Sequence, residues 1–234
     1  MASWGMDTSG VQRDVAHPTG RVQVELEGGE PTFHILPDQA YDHLDRDQAL
    51  ELVTDGAYSL MYHGSLISRG EVSRSALDGI TGAASLPVFV DVNLRDPWWQ
   101  LEEVVVAVRQ ARWVKLNEAE LGLLAGASDA KTATVFRADH ELDAVVVTRG
   151  SRGAVVVDGG GVFEATPPAE VEVVDTVGAG DAFSALFILG LSKGWLTGLI
   201  LERALEFAAA VCTVRGATVR DRGFYSEFRK MDWS

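Results

Sequence analysis

A short glycine-rich turn between two apolar runs constrains this chain most strongly. The segment VVDTVGAGDAFSALF, residues 173–187, places two glycines, an alanine and two aspartates at the junction. Small residues at 178–180 let a bound group approach the backbone closely, and the free amides and peptide dipoles at the start of the following helix favour an anion. Asp181 lies in the first turn of that helix, where its carboxylate can face the anion. A base beside a phosphate indicates phosphoryl transfer.

A simpler interpretation of the same residues stays open. It is a tight strand-to-helix turn in which Asp181 caps the helix, a role that aspartate often fills. The Gly-Lys-Ser/Thr ending of a Walker A loop is absent, so a nucleotide would have to be held in another way. The helix after Asp181 is apolar on nearly all sides, which predicts burial, and a buried helix holds its N-terminus still, as an anion site requires.

Helix-like segments alternate with short apolar runs after Pro37, which predicts parallel strands with covering helices. The runs are AYSLMYHG, LPVFVDVN, RWVKLN and DAVVVTRG. Because ligands bind beyond the carboxyl ends of such strands, we expect the polar residues there to form one rim. These residues are His63, Gly64, Asp91, Asn93, Arg95, Asn117, Glu118, Glu120, Thr148, Gly150 and 175–181. His63 is left out of the predicted site, since a lone histidine at a strand end is more often structural.

Two regions depart from this alternation. Residues 20–36, GRVQVELEGGEPTFHIL, alternate on either side of Gly28 and Gly29 and predict a β-hairpin. In 152–174 the runs RGAVVVD, GVFEA and EVEVV follow too closely for crossover helices, which predicts an antiparallel or edge section. Two helices, roughly 180–193 and 198–214, are expected to close the chain. The predicted domains are a hairpin lid, 9–36, and an α/β core, 37–234.

Composition narrows the class of partner. The 234 residues carry a formal charge of −14, which argues against binding to nucleic acid backbones. Cys212 is the only cysteine, which excludes an internal disulfide or a thiolate zinc cluster. The sequence has no apolar run of membrane-spanning length and no signal-peptide pattern, so we expect no membrane association and a cytoplasmic location.

Six segments together resemble one known family. DTVGAGDAF, 175–183, is similar to the C-terminal signature of the ribokinase-like, or PfkB, carbohydrate kinases. GMDTSGVQRDVAHPTG, YHGSL, DVNLR, KLNEAEL and VVTRGSRGAVV match further motifs of that family in order, so the resemblance covers nearly all of the chain. DVNLRDPWW and YHGSL are most similar to fructokinases. The resemblance implies a Rossmann-like α/β fold, with a mainly parallel sheet flanked by helices and a small β lid.

The same resemblance implies the chemistry of the turn. Asp181 would be the general base that accepts the proton of a sugar hydroxyl, and the amides of Gly178, Ala179 and Gly180 would stabilise the transferring phosphoryl group. ATP and Mg²⁺ are the implied cofactors, and the sugar and ATP are the implied small-molecule partners. Asn117 and Glu120 would organise Mg²⁺ and its waters. Their spacing also fits a helix capping box, and both roles can hold together.

Other residues take implied roles with simpler alternatives. Asn93 would bind the substrate and Arg95 the phosphates or the substrate, although a surface salt bridge is an alternative for Arg95. Thr148, Gly150 and Gly153 would lie against the nucleotide; the alternative for the two glycines is that they are plain turn residues. Gly216 would end a helix that walls the adenine pocket. Many relatives bind a monovalent cation through carbonyls that match Asp175, Val177, Val211, Val214 and Gly216. A further ligand expected in the family would fall at Arg220, which is a poor cation ligand. Whether this chain binds potassium is therefore left open.

The chain departs from the family at its start. Relatives begin with a strand that carries a sugar-binding aspartate, followed by a Gly-Gly stretch and an asparagine, and none of these has a counterpart here. We therefore expect that the chain is truncated at its N-terminus. The leading prediction for its function is an ATP-dependent sugar kinase, with fructose as the leading substrate. The alternatives are a catalytically impaired sugar- or nucleotide-binding regulatory protein, and a homodimer paired through the lid hairpin.

Overall fold

The computed structural model describes residues 1–27, 30–56, 58–83, 85–169 and 171–230. The chain divides into two compact units, 1–110 and 111–234. The predicted lid and the beginning of the predicted core therefore lie in one unit, and the division into lid and core stays a prediction. No helix in the described ranges is both long enough and apolar enough to cross a bilayer.

The first unit contains the predicted hairpin. Strands β1 (Val22–Glu27) and β2 (Glu30–Ile35) pair antiparallel, with Val22 opposite Ile35. The predicted turn residues, Gly28 and Gly29, lie outside the described residues. The strands on either side of them are nevertheless in the register that a two-residue connection requires, because Glu27 is opposite Glu30.

The rest of the first unit alternates helices and strands. Its elements are α1 (Arg46–Asp55), β3 (Met61–Gly64), α2 (Glu71–Ala83), β4 (Val88–Asp91) and α3 (Leu101–Gln110). Strands β3 and β4 pair in parallel, with Gly64 opposite Asp91. All four residues of β4 are buried, as expected for a parallel strand with both faces covered.

The second unit contains both parallel and antiparallel pairs. Its strands are β5 (Trp113–Asn117), β6 (Ala144–Thr148), β7 (Ala154–Asp158) and β8 (Gly161–Ala165). Strand β5 runs parallel to β6, whereas β6, β7 and β8 pair antiparallel. The antiparallel section predicted from the short spacings is therefore confirmed.

The prediction of a strand in EVEVV, residues 170–174, is wrong. Residues 171–174 form no strand, and Val173 and Val174 are 60% and 56% exposed. The amide of Val174 instead donates to the carbonyl of Cys212 at 2.8 Å. This β-branched run is thus held by a loop that is remote in sequence, which local propensity cannot show.

Helices complete the second unit. They are α4 (Glu118–Ala125), α5 (Ala130–Asp139), α6 (Ala179–Lys193), α7 (Thr197–Val211) and α8 (Arg222–Lys230). The predicted burial of α6 is confirmed for the face that carries Phe183 and Phe187, whereas Leu189 is 41% exposed, so the helix is not covered on all sides. It packs so closely on α7 that a Cβ at Gly190 would lie 2.6 Å from Ile200. Helix α7 ends three residues before its predicted end. Helix α8 was not predicted, and its aromatic residues pack around Phe207 of α7.

Candidate active site

The backbone of Gly178 forms the turn before α6. This residue has φ +90° and is the N-cap of the helix. A Cβ at this position would lie 2.6 Å from the carbonyl oxygen of Ala217. Both the left-handed conformation and the close approach therefore require glycine. The small turn that the sequence predicts has a packing reason of its own, whatever the turn binds.

The tip of α6 leaves backbone amides unbonded. The amide of Ala179 donates to Thr176 at 3.2 Å, and the first bond along the helix axis runs from Ala182 to Gly178 at 2.9 Å. Among the described residues, the amides of Gly178, Gly180 and Asp181 have no hydrogen-bond partner. Such amides at a helix N-terminus form an anion site. The set differs from the predicted one, because the amide of Ala179 is already bonded.

Asp181 stands exposed in the first turn of α6. The N-cap position belongs to Gly178, and within the described part of the chain the side chain of Asp181 accepts no capping hydrogen bond. The alternative in which Asp181 acts as the helix cap is therefore wrong. An exposed carboxylate beside unbonded amides can accept a proton from a group that the amides hold nearby.

Lys115 places a buried basic side chain next to the same turn. It lies in the middle of β5 and is 6% exposed. Its Nζ is 3.6 Å from the point that a Cβ on Gly180 would occupy. Lys115 was not among the predicted site residues, although one signal was available: a lysine, which is rarely buried, interrupts the apolar run RWVKLN. A cationic group at this place strengthens the positive potential of the helix tip.

Asp175 ties the turn to the loop after α7. Its Oδ1 accepts from the amide of Val177 at 3.0 Å, and its Oδ2 accepts from the amide of Gly216 at 2.9 Å. The hydrogen bond from Val177, which has the larger effect, and the hydrogen bond from Gly216 both lower the pKa of the Asp175 carboxyl. The clamp also brings together the two segments, 175–177 and 211–216, whose carbonyls were assigned to a monovalent cation.

Asn117 and Glu120 form a reciprocal capping box at the start of α4. The Oδ1 of Asn117 accepts from the amide of Glu120 at 2.9 Å, and the Oε2 of Glu120 accepts from the amide of Asn117 at 2.8 Å. The predicted structural role is therefore confirmed. Since these side-chain oxygens already accept backbone hydrogen bonds, the pair fits contact with Mg²⁺ through water better than direct ligation.

A second turn lies beside this capping box. Thr148 ends β6 directly opposite Asn117 of the parallel strand β5. Gly150 and Gly153 follow with φ +58° and +87°. A Cβ at Gly153 would lie 2.0 Å from the carbonyl oxygen of Ala165, so the fold itself requires this glycine. Gly150 has open space around it, and only its left-handed backbone favours glycine.

Two arginines missed by sequence reasoning join this turn to α4. Arg152 pairs with Glu118, and the Nε of Arg149 lies 3.6 Å from the same carboxylate. Arg149 also pairs with Glu164 of β8. Arg149 follows Thr148 directly and Arg152 lies in the same turn, so their position after a strand end was the available signal. Partly exposed pairs of this kind stabilise a protein only modestly, and we assign them to positioning of the turn.

Asn93 and Arg95 follow β4 in the first unit, and both are exposed. Their backbones are held, since Ser65 Oγ donates to the carbonyl of Asn93 at 3.1 Å and the amide of Trp98 donates to that of Arg95 at 2.7 Å. Arg95 forms no ion pair with any described residue, contrary to the salt-bridge alternative. His63 is 6% exposed, and burial lowers the pKa of its imidazole, consistent with a structural residue.

The model of the pfkB family carbohydrate kinases matches residues 1–221. The chain belongs to this family. Family membership confirms the resemblance in the six sequence motifs and, with it, the ribokinase-like α/β fold.

Individual relatives agree with this assignment. A fructokinase of Escherichia coli is 30% identical over 232 residues, which cover 91% of this chain and 74% of the relative. The structure of a fructokinase from Vibrio cholerae O395, solved with fructose, ADP and calcium, has a TM-score of 0.76 and 25% identity, and covers 96% of this chain and 78% of that one. A sugar kinase from Pyrococcus horikoshii, solved with ATP, has a TM-score of 0.72 and 26% identity over 92% of this chain and 72% of its own.

Proposed function

We propose that this member of the PfkB family transfers the γ-phosphoryl group of ATP to a hydroxyl group of a sugar, with fructose as the leading substrate. The observation that carries the proposal is the tip of α6, where unbonded amides adjoin the exposed carboxylate of Asp181. The amides would bind the anionic phosphoryl group, and the carboxylate of Asp181 would accept the proton of the hydroxyl group, as phosphoryl transfer requires.

Asp181 is the proposed general base. As its carboxylate takes the proton of the sugar hydroxyl, the hydroxyl oxygen forms a bond to the γ-phosphorus. The bond from that phosphorus to the bridging oxygen breaks, and ADP leaves with the bridging oxygen. Because phosphoryl transfer depends mainly on positioning and charge stabilisation, the main requirement on this carboxylate is contact with the sugar hydroxyl.

The amides of Gly178, Gly180 and Asp181 would stabilise the charge on the transferring group. The buried side chain of Lys115 would add positive potential from the other side of the turn. The donors would be fixed before the substrate arrives, because Ala182, Phe183 and Ser184, directly after them in α6, are buried. Such preorganised donors cost no rearrangement during the reaction.

The residues fit the implied cofactors through oxygen atoms and backbone groups. Asn117 and Glu120 would hold the waters of Mg²⁺, which neutralises phosphate charge when bound. Thr148, Gly150 and Gly153 would lie along the nucleotide, with Gly216 at the adenine pocket. The segments 175–177 and 211–216, which Asp175 joins, would offer backbone carbonyls to potassium. We further assign Asn93 to the sugar and Arg95 to the phosphates.

An assay for products tests the proposal. The purified chain is incubated with Mg-ATP and a panel of ketoses and aldoses, ADP release is measured by a coupled assay, and the sugar phosphate is identified by mass spectrometry. We expect the highest turnover with fructose. Release of ADP without any sugar phosphate contradicts the proposal. A rise in melting temperature with sugar or nucleotide, but no product, favours the regulatory binding protein instead.

A further inference from the structure

Three side chains with metal-binding donor atoms meet at the base of the hairpin in the first unit. They are His17, Asp38 and His43, and one donor atom of each lies within 4.8 Å of the others. The Oδ1 of Asp38 is 2.7 Å from the Nε2 of His43 and 3.7 Å from the Nε2 of His17. Donor atoms around a tetrahedral ion are separated by distances of this order, since each lies about 2.0–2.2 Å from the metal.

A fourth residue orients one of the histidines. The Nδ1 of His17 is 2.8 Å from the Oδ2 of Asp14, whose Oδ1 accepts from the amides of Ala16 and His17 at 2.7 and 2.9 Å. When Nδ1 donates its proton to a carboxylate, the lone pair of Nε2 is left for a ligand. Metal-binding histidines commonly have such a carboxylate behind them.

The backbone holds this cluster in place from both ends of the hairpin. His17 precedes β1, whereas Asp38 and His43 follow β2. The amide of Ala40 donates to the carbonyl of Pro18 at 2.9 Å, so the two segments are joined beside the cluster. Asp38 itself has φ +57°, a left-handed conformation that is uncommon outside glycine but tolerated by aspartate.

The two imidazole rings are stacked, with centroids 3.5 Å apart and planes 4° from parallel. The lone pair of an imidazole nitrogen lies in the ring plane, so two parallel rings cannot both point at one ion. One ring must therefore tilt when an ion binds. The side chains of His17 and His43 are 26% and 28% exposed, and that of Asp38 is 73% exposed, so the cluster is reachable from solvent.

We propose that His17, Asp38 and His43 bind one divalent transition-metal ion of the Zn²⁺ class, with water as the remaining ligand. Two imidazoles and a carboxylate suit zinc and its neighbours, whereas magnesium and calcium prefer sites made entirely of oxygen. The carboxylates of Asp14 and Asp38, in a chain of formal charge −14, favour a cation at this place. The site is separate from the kinase proposal, which needs neither histidine.

Titration of the metal-free full chain with Zn²⁺ by isothermal calorimetry, in excess Mg²⁺, tests this site. The Mg²⁺ occupies sites that prefer hard cations, so that the remaining heat reports nitrogen-containing sites. We expect one equivalent of Zn²⁺ to bind, and Co²⁺ in its place to give the visible absorption of a tetrahedral complex. Absence of Zn²⁺ binding overturns the proposal, and leaves the kinase proposal unaffected because the readout is binding alone.

Variants assign the binding to these residues. We expect His43→Gln to weaken Zn²⁺ binding by about 100-fold or more, and Asp14→Asn to keep one equivalent while weakening it about 10- to 100-fold, as loss of an outer carboxylate does. His34→Gln, an exposed histidine of the same hairpin, is the matched control and should bind as the parent does. Unchanged affinity in His43→Gln, or equal loss in His34→Gln, overturns the assignment. Asp14→Asn retains a side-chain oxygen that can accept from the amides of Ala16 and His17, and thus tests the site without removing a ligand.

Discussion

The carboxylate of Asp175 accepts a hydrogen bond from the amide of Gly216, 41 residues further along the chain, at 2.9 Å. Its other oxygen accepts from Val177 at 3.0 Å, within the turn that precedes α6. One side chain thus joins the turn to the loop that follows α7. The positions of the amides at the candidate site depend on this bond as well as on the turn itself.

Asp175→Ala should lower the melting temperature at neutral pH, because two backbone amides lose their acceptor. The pKa of Asp175 is lowered in the folded protein, so its contribution is present above the unfolded pKa and is lost as the pH falls. The difference from the parent should therefore shrink below about pH 4. Thermal melts from pH 7 to pH 3 measure it. Asp221→Ala is the control, since the only hydrogen bond that Asp221 accepts from the described residues is a local one from Gly223. An equal loss of melting temperature in that variant would contradict the clamp.

Gly178→Ala should destabilise the fold by more than the cost of its left-handed backbone, about 1–3 kcal/mol, because its Cβ would meet Ala217. Gly194→Ala at the other end of α6 is the matched control, with φ +69° and no atom within 4 Å of the added Cβ. Urea unfolding of both variants isolates the steric part. Equal destabilisation would show that the close approach to Ala217 relaxes freely.

Asp181→Asn should keep the fold and nucleotide binding but reduce kcat by about 10²–10⁴, the usual contribution of a general base. The ADP-release assay and nucleotide titration measure the two effects separately. Asp129→Asn is the control, because Asp129 caps α5 and asparagine caps equally well. Unchanged turnover in Asp181→Asn would remove this residue from its proposed role.

Lys115→Met should preserve most of the packing around β5 while removing positive charge beside Gly180. We expect nucleotide affinity or kcat to fall about 10- to 100-fold, the value of one charge-assisted hydrogen bond. Lys193→Met removes the same charge from the C-terminal end of the same helix and should change neither quantity. If both variants behave like the parent, Lys115 has no electrostatic role at the turn.

Glu120→Gln should leave the melting temperature nearly unchanged, because glutamine also completes a capping box with Asn117. If Glu120 holds the waters of Mg²⁺, the loss of its charge should raise the Mg²⁺ concentration needed for half-maximal turnover. A magnesium titration at fixed ATP measures this shift. An unchanged requirement would restrict Glu120 to the capping of α4.

The period of the apolar residues and the spacing between apolar runs predicted most of the strands and helices. The runs that gave β3 to β6 are short and apolar, and the close spacing after Arg152 correctly gave the antiparallel strands β7 and β8. EVEVV was wrong because its β-branched residues bond to the loop at Cys212 rather than to a strand. Helix α8 was missed although Phe224, Tyr225 and Phe228 have helical spacing and form one apolar face. The short polar segment gave no sign of the packing on Phe207 of another helix that covers this face.

The residues of the candidate site also fall into a predicted group and a missed group. The turn at 178–181 and the Asn117–Glu120 pair were predicted because each is a local motif with a fixed spacing. Lys115 and the arginine pair around Glu118 were missed, since their importance comes from where separate segments meet. The metal-binding cluster was missed for the same reason: its residues are spread over 26 positions between His17 and His43.

The clamp at Asp175 also limits how far the nine residues DTVGAGDAF can be treated as a portable motif. Their shape depends on partners at Cys212, Gly216 and Ala217, which belong to a different stretch of chain. A designer who grafts the nonapeptide onto another scaffold must graft the second stretch with it. Otherwise the transplanted loop lacks the contacts that fix its backbone conformation.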